Sequence, residues 1–215
     1  MLRLLLVIVL SYLAGSLPTS IIVSRLFRGI DIRDYGSGNA GATNVLRVLG
    51  WKLALVVMIV DVGKGFVAAR FIAPLGASVL PDHFSLVQIL AGASAVVGHI
   101  YTVFAGFRGG KGVGTGAGVM LALYPLPTLI CAAVFLAVAF STRYVSLASL
   151  TAVTLLPLIL VFYKVALHRQ VDTFLLVFAA LVAGLIIFAH RSNISRLLAG
   201  TENRFGRGRA QAGEQ

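Results

Sequence analysis

Apolar runs of roughly twenty residues, broken by short polar segments, organise the chain from end to end. The first, Met1 to Ser24, carries only Arg3 and a few small polar side chains. A cleaved leader would show the same charged start and a small-residue stretch such as Ala14-Gly15-Ser16. The apolar pattern resumes after Pro18 through Ile21-Ile22-Val23, however, so this run reads as a retained span kinked near Gly15 and Pro18. A long polar segment, Arg25 to Lys52, precedes a second span over Leu53–Phe71. Asp61 and Lys64 interrupt that span three residues apart, on one helix face, where each can neutralise the other at membrane depth. Pro74 to Asp82 reads as a connection, and a third span covers Phe84 to Phe104.

Two short segments follow. Val113–Tyr124 and Leu129–Phe140 each fall below the length of about 20 residues that a full crossing takes, with Pro125-x-Pro127 turning the chain between them. Gly110, Gly114 and Gly118 recur every four residues, as do Gly112 and Gly116, a spacing that lets helices approach closely. Val145–Tyr163 and Phe174–Ala189 complete the set. The expected fold is an all-α integral membrane protein of about seven transmembrane helices, some short or tilted, with its polar loops gathered on the cytoplasmic face. Residues 1–203 form one polytopic domain in this reading, and 204–215 a disordered basic tail.

Composition agrees with this pattern. The 215 residues are 59% hydrophobic and 12% charged, with a mean hydropathy of +0.97, more apolar surface than a soluble domain of this length can hide. Eighteen Lys and Arg stand against seven Asp and Glu, a net charge of +11. That excess would point to nucleic acid in a soluble protein. Here the cations sit in short loops, so membrane orientation and anionic ligands account for them and no nucleic-acid partner is expected. Over seven spans, 13 Lys or Arg fall on one side and 4 on the other, with Lys64 inside the membrane. The first side is cytoplasmic by the positive-inside rule, which places the N-terminus outside and the C-terminus inside. The single cysteine, Cys131, lies in an apolar run and excludes an intrachain disulfide.

Three polar constellations share the cation-rich side. The first, Gly36-Ser37-Gly38-Asn39-Ala40-Gly41-Ala42-Thr43-Asn44-Val45-Leu46-Arg47, packs three Gly, two Asn, a Ser and a Thr into its first nine positions. Thr43 or Asn44 is the expected cap of a following helix. The second, Gly98-His99-Ile100 and then Phe107-Arg108-Gly109-Gly110-Lys111-Gly112-Val113-Gly114-Thr115, joins glycine-rich backbone to two cations just before a helix start, a combination suited to phosphate. Its spacing is not that of the nucleotide P-loop. The third, His190-Arg191-Ser192-Asn193-Ile194-Ser195-Arg196-Leu197-Leu198-Ala199-Gly200-Thr201-Glu202, places His190 and Asn193 on one helix face. Together they supply cations, neutral hydrogen-bonding groups and a histidine with hardly any carboxylate, so no metal and no cofactor is expected.

These three stretches resemble the signatures of the bacterial membrane glycerol-3-phosphate acyltransferases that use acyl phosphate as donor, the PlsY family. The resemblance runs from Gly15-Ser16-Leu17-Pro18 to Gly200-Thr201-Glu202, with two departures: Ala40 where Pro is frequent, and Gly114 where Ala is frequent. It implies a seven-span enzyme of the bacterial plasma membrane with a cytoplasmic active site. That enzyme would transfer a fatty acyl group from acyl phosphate to the 1-hydroxyl of glycerol 3-phosphate, yielding lysophosphatidic acid and inorganic phosphate. Its implied partners are those two substrates, membrane lipid and a soluble enzyme that forms acyl phosphate; the oligomeric state stays open. The soluble-type acyltransferase signature, a His with Asp after four intervening residues, is absent at all four histidines. By resemblance, Ser37, Lys111, His190 and Asn193 are the catalytic candidates. Asn39, Thr43, Asn44, Arg47, Arg108, Gly109, Gly110, Gly112, Gly114, Thr115 and Glu202 are the substrate- or phosphate-binding candidates. Either His190 or a substrate phosphate oxygen can accept the hydroxyl proton. A transporter for a phosphorylated metabolite is the alternative, since broken spans and glycine-rich loops serve transporters too, although no second copy of the 106–115 pattern exists.

Overall fold

The computed structural model describes residues 1–205, and every regular element among them is helical. Helices α1 (Leu2–Ser16) and α2 (Thr19–Arg28) make one 27-residue apolar stretch broken at Leu17–Pro18. Proline has no N–H to donate and disfavours helical geometry in the residue before it. The Leu17 carbonyl freed by that break accepts a hydrogen bond from Lys64 Nζ at 3.1 Å. The kink expected from sequence is thus tied to the ionisable pair of the next long helix.

Helix α3 (Ala42–Leu49) leads through Gly50 into α4 (Trp51–Val67). The end of the expected second span is a π turn over Ala68–Ile72, and the segment expected as a plain connection, Pro74 to Asp82, is made of 3-10 turns over Ala73–Val79 and Pro81–His83. Helix α5 (Phe84–Ile100) ends short of the expected Phe104 and delivers the glycine-rich loop to α6 (Val113–Leu123). Helices α7 (Pro125–Thr142) and α8 (Val145–Val165) form a hairpin, and α9 (Thr173–Ala189) meets α10 (Arg191–Leu198) at a 60° bend.

The expected boundary at Pro125-x-Pro127 is corrected. Pro125 is the first residue of α7, where its missing N–H has no intrahelical partner to lose, so the helix gains a turn and reaches 18 residues. Among the described residues, four stretches are long and apolar enough to cross a membrane: Leu2–Arg28, Pro81–Ala105, Pro125–Thr142 and Val145–Val165. The bent α9–α10 pair makes a fifth. This falls below the seven expected because α6 has only 11 residues and α4 carries ionisable side chains in its interior.

Those side chains are paired. Lys64 Nζ lies 2.9 Å from Asp61 Oδ1, both buried, and His99 Nδ1 of α5 lies 3.6 Å from the same oxygen. Glycines bring the helices together around this point. A Cβ on Gly65 would run into the Thr115 backbone, and one on Gly118 into that of Val62, so α4 and α6 touch backbone to backbone. The start of the expected tail is partly held: Arg204 Nε donates to the Tyr144 hydroxyl at 2.9 Å and Phe205 N to the Arg143 carbonyl at 3.0 Å. Residues 206–215, the rest of that tail, lie outside the described residues.

Breaking a buried ion pair from one side strands the remaining charge, at about 3–5 kcal/mol. Lys64→Met is therefore expected to lower the thermal unfolding midpoint in detergent markedly, and the double variant Asp61→Leu/Lys64→Met to recover most of that loss.

Candidate active site

The loop between α2 and α3 is shaped by two polar knots. Asp31 accepts from Arg33 at Nε (2.9 Å) and Nη2 (2.8 Å), while Arg33 Nη1 donates to the Ala105 carbonyl at 2.8 Å, tying this loop to the one after α5. The capping role expected of Thr43 or Asn44 is not what the structure shows, since α3 begins at Ala42 with Gly41 at its cap. The fully buried Asn44 instead folds the loop around itself. Its Nδ2 donates to the carbonyls of Ile32 (2.9 Å) and Tyr35 (2.8 Å), and its Oδ1 accepts from Ser37 N (2.9 Å). Asn44 thereby presents Ser37, Asn39 and Thr43 to the cavity described below.

The glycine-rich loop closes on α5. Gly109 N donates to the Ile100 carbonyl and Gly110 N to that of His99, each at 3.0 Å, so these two amides are spent within the protein. A Cβ on Gly110 would fall on the His99 ring, which explains the glycine there. At Gly112 the backbone turns through φ +84° and begins α6. The first N–H groups of that helix, from Val113, Gly114 and Thr115, have no intrahelical acceptor, and they lie just past Lys111.

The bend between α9 and α10 supplies the third wall. His190, at the bend, is buried, with Nδ1 2.8 Å from the Ile186 carbonyl. A proton on Nδ1 satisfies that contact and leaves Nε2 as an acceptor. Burial foremost, then the Lys111 charge, pull its pKa down to about 4, so the ring is neutral at neutral pH. Lys111 Nζ donates to Asn193 Oδ1, and Asn193 Nδ2 donates to Glu202 Oε1 at 2.8 Å. Glu202 also accepts from Ser146 Oγ at 3.0 Å and from Arg196 Nε at 2.7 Å. Burial raises the Glu202 pKa, but the hydrogen bonds from Asn193, Arg196 and Ser146 outweigh it and the net shift is downward. Burial, with the nearby Arg196 and Arg47 charges adding to it against Glu202, brings Lys111 down to about 8.

Arg47 of α3 completes the cationic rim. Its Nη2 lies 3.8 Å from Glu202 and 3.4 Å from the Asn203 carbonyl, while its buried Nε has no hydrogen-bond partner among the described residues. A half-buried guanidinium so loosely held suits an anion with further oxygens to offer.

These groups meet in one cavity of about 340 Å³. Ser37, Asn39, Thr43, Asn44, Arg47, Lys111, Gly112, Gly114, His190 and Asn193 all line it, so distant polar stretches converge on one mouth. Arg108 is exposed and does not line it, nor do Gly109, Gly110, Thr115 and Glu202, of which Thr115 and Glu202 are buried behind the wall. Beyond the mouth the cavity runs on between α6, α7, α8 and α9 as an apolar bore. Sequence reasoning missed two parts of this arrangement. Ser146, an ordinary serine at the start of α8, gave no signal of its bond to Glu202. The bore residues were indistinguishable from other membrane-span residues.

A family model described as glycerol-3-phosphate acyltransferase matches residues 5–200. The chain belongs to that family. Among relatives, the glycerol-3-phosphate acyltransferase of Chlorobium phaeobacteroides (strain BS1) is 47% identical over 230 residues, covering 95% of this chain and 97% of the relative. That of Chlorobaculum parvum is 45% identical over 232 residues, covering 97% and 99%. The crystal structure of PlsY (YgiH), an integral membrane glycerol 3-phosphate acyltransferase, superposes in its glycerol 3-phosphate form with a TM-score of 0.82 at 40% identity, covering 94% of this chain and 96% of that one. Its lysophosphatidic acid form gives a TM-score of 0.79 over 94% and 95%. With these neighbours and its apolar helices, the chain is a helical membrane protein of the acyltransferase family.

Asn44→Ala would leave two loop carbonyls without donors, at about 1–3 kcal/mol for each buried group left unpaired. The variant is expected to show faster limited proteolysis between residues 33 and 41 and a lower thermal midpoint, with cleavage elsewhere unchanged.

Proposed function

We propose that this protein transfers a fatty acyl group from acyl phosphate to the 1-hydroxyl of sn-glycerol 3-phosphate, releasing lysophosphatidic acid and inorganic phosphate. The observation that carries the reading is the cavity itself, whose cationic, carboxylate-poor mouth opens into an apolar bore. Each substrate bears a phosphate for the mouth, and the donor bears a hydrocarbon for the bore. The relatives' names and the solved neighbour's glycerol 3-phosphate and lysophosphatidic acid forms support the same assignment. Nothing in these comparisons favours the transporter alternative.

In the proposed reaction, Lys111, the open amides at the start of α6 and the Ser37 loop hold one phosphate, and Arg47 and Asn193 steady the other. The glycerol hydroxyl oxygen attacks the acyl carbonyl carbon, the bond to the phosphate oxygen breaks, and His190 Nε2 accepts the hydroxyl proton. An acyl phosphate is already an activated mixed anhydride, so positioning and charge stabilisation supply most of what the site must add. Arg108, Gly109, Gly110, Thr115 and Glu202 then act as framework or outer electrostatics, and Asn44 as the anchor of the Ser37 loop. The active face is cytoplasmic by the distribution of Lys and Arg, in a seven-span arrangement that counts α4 and α6 as crossing segments. Acyl phosphate would come from a soluble enzyme, and the membrane is the bacterial inner membrane.

Purified protein given acyl phosphate and glycerol 3-phosphate in detergent is expected to release phosphate and lysolipid in equal amounts; a transporter would release neither. Lys111→Ala and His190→Ala should each lower turnover by about 10²–10⁴-fold without loss of folded protein. The lysine ammonium is charged below its pKa and neutral above it. Wild-type kcat/KM is therefore expected to fall as pH rises through about 8, and Lys111→Arg to flatten that decline. Near-normal activity in both alanine variants would refute the assigned roles.

A further inference from the structure

Along the bore, three helices place large side chains at one far level. Nearer the mouth the lining mixes small residues, such as Gly116, Ala132, Ala152 and Ala183, with larger ones, such as Phe135 and Ile186. At its far end stand Met120 on α6, Leu156 on α8 and Phe178 on α9. About one turn further along, Tyr124, Leu160 and Leu175 no longer line the cavity. They pack with Met120, Leu156 and Phe178 in one hydrophobic cluster, in which Leu160 is fully buried and Leu175 nearly so. Three helices therefore end the bore together.

The depth follows from helix geometry. From His190 to Phe178 is twelve residues and from Ser146 to Leu156 is ten, about 18 and 15 Å at 1.5 Å per residue. An extended saturated chain advances about 1.3 Å per carbon, the projection of a ~1.5 Å C–C bond. A straight acyl chain with its carbonyl carbon at the mouth would meet the far wall after roughly 12–14 carbons.

We propose that Met120, Leu156 and Phe178 form a floor that sets the acyl-chain length of the donor; this inference rests on the acyltransferase reading above. The occupant is the donor's own hydrocarbon, because the bore is continuous with the mouth that Lys111 and His190 line. A chain too short leaves apolar wall uncovered, forgoing about fourfold in affinity per methylene. A chain too long must coil against the floor or hold its carbonyl carbon away from Lys111 and His190.

The test measures kcat/KM of the full chain in detergent with saturated acyl phosphates of ten to twenty carbons and glycerol 3-phosphate. The wild-type profile is expected to rise to an optimum and then drop about tenfold. Phe178→Ala and Leu156→Ala, each deepening the floor, should move the optimum up by two carbons or more. Ala183→Leu, which narrows the bore above the floor, should lower the ratio of eighteen-carbon to ten-carbon donor use at least tenfold. An unchanged optimum in variants that unfold at the wild-type temperature overturns the proposal, as does a profile equally flat in every variant, which would mean that the chain leaves sideways into lipid. If the wild type transfers no acyl group at all, the acyltransferase reading fails, and the floor is judged by Cys131 instead. The α7–α8 hairpin turns at Arg143–Tyr144, which sets this lone cysteine at the level of Leu156 in the deep part of the bore, with Thr128 one turn beyond it. Protection of Cys131 from a methanethiosulfonate by lysophosphatidic acids of twelve carbons or more, and not by six-carbon homologues, supports the floor; protection independent of chain length overturns it.

Discussion

A chain of charged and neutral hydrogen bonds, from Lys111 through Asn193 to Glu202, ties the far parts of this molecule together. Glu202 is the hub, taking Ser146 from the start of α8, Asn193 and Arg196 from α10, and standing 3.8 Å from Arg47 of α3. One buried carboxylate thereby sets the positions of three cations and an amide around the mouth of the cavity. It reduces their mutual repulsion while leaving the rim positive overall. Remove that compensation and Lys111, Arg47 and Arg196 would repel one another in a partly buried site. A site so poor in acid suits the anions of the proposed reaction, and Glu202 behind its wall offsets the gathered cations.

A second constraint acts inside the bundle. Ionisable groups at membrane depth must be paired, and Asp61, Lys64 and His99 are grouped where α4 meets α5, with Lys64 also satisfying the carbonyl freed by the break at Pro18. Glycines permit the close backbone contacts around this cluster: Gly65 and Gly118 between α4 and α6, Gly15 against Ala95 between α1 and α5. Gly110 lies directly on the His99 ring, so the buried polar cluster and the phosphate-suited loop share a boundary. The placement of the loop follows from the packing of the spans beneath it.

Polar mouth and apolar bore together match the substrates of the proposed reaction. A phosphate alone would need only the rim, and a fatty acid only the tunnel. In the proposed reaction, a molecule that joins a phosphate to an acyl chain through a reactive carbonyl would span both and place that carbonyl at their junction, beside Lys111 and His190. Binding energy from the remote chain can then serve to orient the reacting centre.

Much of this was legible in the linear chain, for a definite reason. Hydrophobic runs report the solvent around a helix, and lipid imposes its length and apolarity residue by residue. The all-helical membrane fold, the kink at Pro18, the Asp61–Lys64 pair and the family signatures around Ser37, Lys111 and His190 could all be read without coordinates. What sequence could not decide depended on contacts between distant segments. Pro125 proved to start a helix rather than to break one, because position in the first turn removes its penalty. Asn44 proved to be an anchor for a loop, and Gly109 and Gly110 to spend their amides on α5, because hydrogen-bond partners are assigned by folding and not by spacing. Glu202 as hub, Ser146 as its partner and the three-sided end of the bore are likewise tertiary facts. In a chain that is 59% hydrophobic, apolar residues facing a cavity, a neighbouring helix or lipid have the same character in sequence, and only the packing of the helices tells them apart.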